Sequence, residues 1–181
     1  MDELWQRAVK ALDEGNFTSL ESTLGGSAGF DRQIIKWFGA GKFDGQAEML
    51  AEALSCVCML GRIETARYLL DNGVDPLTGM KTGLNGFHYA VSGGRLDVVK
   101  LLINRKVPME TRNMYGGSVW EQALWSAINE HKPDHAAVIE ALIEAGAEIE
   151  PGTLEWWNEQ PVPSAETKRR VAYALRRKGL E

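Results

Sequence analysis

The chain has 181 residues, 44% hydrophobic and 25% charged, which excludes wholesale disorder and leaves room for one buried core or one elongated array. A formal net charge of −5 argues against nucleic acid as the default partner. No apolar run approaches the ~20 residues needed to cross a bilayer, so a membrane partner is not expected.

The opening segment, MDELWQRAVKALDE, reads as an acidic amphipathic helix without the basic start and apolar core of a secretory signal. The next run, FTSLESTL, reads as a second helix. It is followed by GGSAGFDRQIIKWFGAGKFDG, a short inserted helix between glycine-rich turns. Cys56 and Cys58 stand two apart, and on a helix such positions point away from each other, so no mutual disulfide is expected. They read as small core residues of a reduced, cytoplasmic chain, or of one whose targeting segment has been removed.

From Gly61 a period emerges. GRIETARYLLDNGVDP, starting at Gly61, and GRLDVVKLLINRKVPM, starting at Gly94, lie 33 residues apart. Leu69 and Leu70 fall on Leu102 and Ile103. A third copy, VIEALIEAGAEI, begins at Val138, and a weaker fourth, VAYALRRKG, ends at Gly179. At the front, Phe17, Leu20 and Leu24 align with Leu96, Val99 and Ile103. Each copy predicts two short helices, the second with apolar residues on one face, as at Leu96, Val99, Leu102 and Ile103. Such a pair cannot bury its apolar face alone and must stack on its neighbours. The reading is therefore an all-α helical solenoid of about four to five degenerate helix-turn-helix repeats. Residues 1–45 form an atypical N-terminal cap, 46–150 the core repeats, and 151–181 a C-terminal cap.

Three further stretches bear on chemistry. In HKPDH, His131 and His135 have zinc-compatible spacing, but Pro133 disfavours one continuous helix. The stretch reads as a solvated loop with Asp134 as the N-cap of the next helix. In TLEWWNEQPVP, adjacent Trp156 and Trp157 cannot share one helix face, so one packs inward and the other is exposed. The last segment is basic: residues 151–181 carry six cations and four carboxylates, or +2, against −7 for the remainder. A solvated terminal helix is the preferred reading of KRRVAYALRRKG, and anion or nucleic-acid association through Arg176 and Arg177 the alternative. No glycine-rich stretch has phosphate-loop spacing, and no zinc-protease or nucleophile-elbow motif is present. No catalytic residue, metal site or cofactor is therefore assigned.

The second copy, TGLNGFHYAVSGGRLDVVKLLINRKV, resembles an ankyrin repeat. Gly83, Phe87, His88, Ala90, Gly94, Val98, Val99, Leu102 and Ile103 occupy matching places, while Asn85 and Gly86 replace the usual Thr-Pro. The resemblance is strongest over roughly 46–150 and weakens at both ends. It implies a non-enzymatic protein–protein interaction module that binds an unidentified protein on its concave face. It also implies a structural role for His88, whose ring would hydrogen-bond backbone groups between adjacent repeats, and for the turn glycines Gly61 and Gly94. Carried over by alignment, the partner-facing positions are Met59, Leu60, Lys81, Thr82, Leu84, Ser92, Met114, Tyr115, Trp125 and Ser126. Trp125 and Met59 either face a partner or pack into the helices beside them.

Overall fold

The protein is described by a computed structural model over residues 2–78 and 83–179, and these residues form eleven helices and no strand. Lys81 and Thr82, two of the expected partner-facing positions, lie outside the described residues. The chain opens with α1 (Glu3–Asp13), α2 (Phe17–Thr23) and α3 (Gly26–Gly39). Four helix pairs follow: α4 (Ala47–Leu60) with α5 (Ile63–Asp71), α6 (Gly86–Ser92) with α7 (Leu96–Asn104), α8 (Val119–Asn129) with α9 (His135–Ala145), and α10 (Thr153–Glu159) with α11 (Ala165–Arg177).

Local chemistry sets the helix starts. Asp2, Asn16 and Ser164 cap α1, α2 and α11 through their side-chain oxygens, and Ser118 with Glu121 forms a reciprocal capping box on α8, satisfying amides that the first turn leaves free. Between α4 and α5, and between α6 and α7, the chain reverses through glycine. Gly61 and Gly94 have φ of +74° and +63°, a region open to glycine at little cost. Gly93 has an ordinary φ but a close neighbour, since a Cβ there would lie 2.7 Å from the Met59 carbonyl oxygen.

The pairs stack in two layers. Helices α4, α6 and α8 pack in succession to form one layer, and α5, α7, α9 and α11 form the other. One contiguous apolar core runs between them, including Leu54, Val57, Phe87, Val91, Leu102, Val119, Ile139 and Leu175. Polar ties cross the boundaries at nearly constant spacing. Arg95 Nε donates to the Met59 carbonyl at 2.8 Å, Arg105 meets Asp71 at 2.5 Å, and Ser126 Oγ lies 3.2 Å from Ser92 Oγ.

The N-terminal end differs from the sequence alignment. Phe17–Leu24 was expected as the second helix of a repeat, with the next segment inserted. Instead α3 takes the outer-layer position before α5. Thr65 of α5 donates to Asp31 of α3 at 2.8 Å, 34 residues apart, the spacing of the other ties. The reason is burial: α3 has two more turns than α2 and buries Phe30, Ile34 and Trp37 on one face. Helix α2 becomes the extra element, wedged against α1, α3 and α4.

At the other end the inner layer stops early. Helix α10 has only seven residues and packs on α11, but it does not continue the stack on α8. Among the described residues no helix is long and apolar enough to cross a membrane.

Candidate functional site

His88 is fully buried in the first turn of α6. The Asn85 amide donates to its Nδ1 at 3.3 Å, while Asn85 Oδ1 accepts from the Phe87 and His88 amides at 3.0 and 3.2 Å. Its hydrogen bonds thus close a capping box inside its own repeat, whereas bonds between repeats were expected. Backbone groups of Gly117 and Thr111 in the next repeat lie beside the ring, outside hydrogen-bonding geometry. Burial lowers the His88 pKa and those backbone groups oppose the shift, so the imidazole is held neutral.

His135 does bond across a repeat boundary. Its Nδ1 accepts from the Lys132 amide at 3.0 Å, which leaves Nε2 to donate to the Ser92 carbonyl at 3.2 Å. Burial lowers its pKa as well. The expectation of a solvated loop therefore fails at His135, which is fully buried. Asp134 holds the N-cap position of α9 without bonding through its side chain. His131 Nε2 lies 3.0 Å from Thr167 Oγ1 of α11. Both histidines thus have protein partners.

Ser92 and Ser126, assigned above to a partner-facing surface, are buried. Gln122 Nε2 donates to both hydroxyls, at 2.9 and 3.2 Å. The two serines face each other across the α6–α8 boundary, where their small polar side chains allow close stacking. Cys56 and Cys58 are free and buried. Burial pushes the Cys58 thiol up to about 12 and the Cys56 thiol upward too, so neither is poised as a nucleophile.

The remaining assigned positions divide by exposure. Met59, Leu60 and Leu84 are half-buried, the first two packed against the core. Met114 is 63% exposed and Tyr115 77%. Both sit in the turn leading into α8, held by Asn113, whose Oδ1 accepts from the amides of Tyr115 and Gly117. A Cβ on Gly83 would lie 3.3 Å from the Met114 nitrogen, so successive turns are stacked closely.

Trp125 is 50% exposed. It lines a cavity of about 680 Å³ between α8 and the α10 region, where the inner layer breaks off. Trp156, 43% exposed, lines the same cavity. Its neighbour Trp157 is fully buried and donates its indole N–H to the Lys168 carbonyl at 3.0 Å. Periodicity could separate the two tryptophans, but it could not bring Trp156 and Trp125 to one cleft.

The basic segment is partly committed within the fold. Arg170 makes a two-pronged contact with Glu140 at 2.9 and 2.7 Å, and Lys168 Nζ donates to the Gln160 carbonyl at 2.7 Å. The exposed cations are Arg169, Arg176, Arg177 and Lys178.

A family model described as ankyrin repeats in many copies matches residues 54–103. Over that segment the chain is similar to ankyrin repeats. An ankyrin repeat and KH domain-containing protein, mask-1 of Caenorhabditis elegans, is 40% identical over 53 residues, covering 29% of this chain and 2% of that protein. Among solved structures, a chain of the complex of a predatory endopeptidase from Bdellovibrio bacteriovorus with an immunity protein matches with a TM-score of 0.52 at 24% identity. The match covers 68% of this chain and 62% of that one, and it supports the fold alone. The ankyrin-like architecture extends beyond the matched segment, since the layered stack runs from α4 through α9 and continues in the outer layer to α11.

Proposed function

We propose that the chain is a non-enzymatic protein-binding module that holds a partner against the side formed by its repeat turns and first helices. The observation that carries this reading is the exposure of Met114, Tyr115 and Trp125 on and just before one short, well-anchored helix. Tyr and Trp side chains dominate protein-contact energetics, and a flexible Met adapts its shape beside them. The turn and helix that present them are held by the Asn113 bonds, the Ser118–Glu121 capping box and the Ser92–Gln122–Ser126 cluster, so little ordering is required on binding. Leu84 adds half-buried area in the preceding repeat. In this reading residues 1–181 act as one domain, with 46–150 as the working core, and the buried reduced cysteines suit a cytoplasmic setting.

The test is a quantitative capture from the native cell, comparing the chain with its Tyr115→Ala/Trp125→Ala form. The expected result is loss of a specific bound protein with an unchanged helical circular dichroism signal. Retention of the same bound proteins by the double variant refutes the assignment.

A further inference from the structure

We infer that the cleft between α8 and the α10 region is a docking site for a short basic–apolar segment of a partner protein. This deepens the reading above, because it names the chemistry of what the module holds.

The first argument is architectural. Every earlier inner helix is covered by the next one, α4 by α6 and α6 by α8, but α8 has no successor stacked on it. Its uncovered side carries Leu124, Trp125 and Ile128, and Trp156 and Pro161 stand opposite. A volume of about 680 Å³ lies within the range of roughly 300–1,000 Å³ usual for built ligand sites. Trp125 and Trp156 are each about half-exposed, and among the described residues neither pairs with another ring.

The second argument is charge. The cavity is lined by Glu110, Glu121, Glu148 and Glu150 and by one cation, Arg112. Arg112 is occupied, lying 3.2 Å from Glu121 and donating to the Gly116 carbonyl at 2.6 Å. Glu110 accepts from the Glu148 amide at 3.0 Å. No cation pairs with Glu110, Glu148 or Glu150 among the described residues. Among the described residues, three carboxylates without a cation partner beside two half-exposed indoles select a Lys or Arg side chain, whose apolar stem lies on indole and whose charge meets both the ring and the carboxylates. An adjacent Leu, Met or Phe fills the apolar wall. The same carboxylates repel acidic peptides and nucleic acid.

The experiment selects from a random peptide library displayed on phage against the full chain, then measures a selected peptide, fluorescently labelled, by anisotropy. Enrichment of Lys or Arg beside Leu, Met or Phe is expected. Trp156→Ala is expected to weaken binding by about tenfold, and Glu148→Gln/Glu150→Gln to weaken it and flatten its salt dependence. Both changes lie on half-exposed or exposed side chains, and circular dichroism checks that the helices persist. Selection of acidic or uncharged peptides, no selection at all, or unchanged affinity in Trp156→Ala overturns the inference. So does equally tight binding of lysine amide alone, which would make the site one for a small cation. A Met114→Ala/Tyr115→Ala form separates the two readings. If it loses the native partner while the cleft variants keep it, the binding module stands and the cleft assignment falls.

Discussion

Glu52→Gln removes a carboxyl that the fold disfavours in its charged form. Glu52 is 4% exposed, on α4, which packs against α1, α2, α5 and α6. Burial first, and the negative Asp13 second, push its pKa from an ordinary 4.5 to about 7. The folded chain therefore holds a proton that the unfolded chain has released between these two values. Stability must fall as pH rises through that window, by as much as about 1.4 kcal/mol per pH unit. Once pH passes 7 the accumulated loss is about 3 kcal/mol. Below pH 4.5 both states are protonated and the loss vanishes. Glutamine has nearly the same shape and never ionises. The variant should match the parent near pH 4 and exceed it above pH 7 by up to about 3 kcal/mol, a large share of a typical domain's margin. Urea melts followed by circular dichroism at pH 4, 6 and 8, paired between the two proteins, measure the difference directly. A difference that stays constant across the series, or a variant less stable at pH 8, refutes a buried, proton-retaining Glu52.

Other substitutions probe the repeat boundaries. Gly93→Ala should cost about 1–3 kcal/mol, because the new methyl meets the carbonyl that already accepts from Arg95; thermal melts read this. Gly94→Ala should cost about 1–2 kcal/mol through backbone conformation. His135→Leu should cost about 1–3 kcal/mol by stranding the Ser92 carbonyl and the Lys132 amide, and amide exchange at Lys132 should quicken. Arg170→Ala, which breaks a pair that is partly solvated on both sides, should cost no more than about 1 kcal/mol, with the loss shrinking in high salt.

The repeat core was legible because α5 and α7 restate one apolar face and one Gly-Arg reversal. Leu69 and Leu102, 33 residues apart, are both fully buried. The N-terminal order was not legible, since Phe17, Leu20 and Leu24 in one segment and Phe30, Ile34 and Trp37 in the next both present a helical apolar stripe. Which one joins the outer layer depends on packing against α5, and no local pattern records that. Alignment placed Ser92 and Ser126 on a binding surface because it reports position along a helix. Their burial follows from the packing of α6 on α8, which sets the two hydroxyls 3.2 Å apart. The cleft was invisible for a related reason. It arises where α8 and α10 fail to stack, and a missing contact leaves only faint traces in sequence, here a short helix ended before Pro161 and Pro163.

That missing contact has a thermodynamic consequence. In a stacked array each repeat is stabilised chiefly by its nearest neighbours, and here the last pair is coupled to the rest mainly along one edge, through α9 and α11. The final repeat should therefore be the weakest cooperative unit, opening ahead of the others, with amide exchange in α10 and α11 faster than in α6 to α9. A segment seated between α8 and α10 would supply the second edge. Occupancy would then slow exchange throughout α11, including residues the ligand never touches, and so propagate a local binding event to the end of the chain.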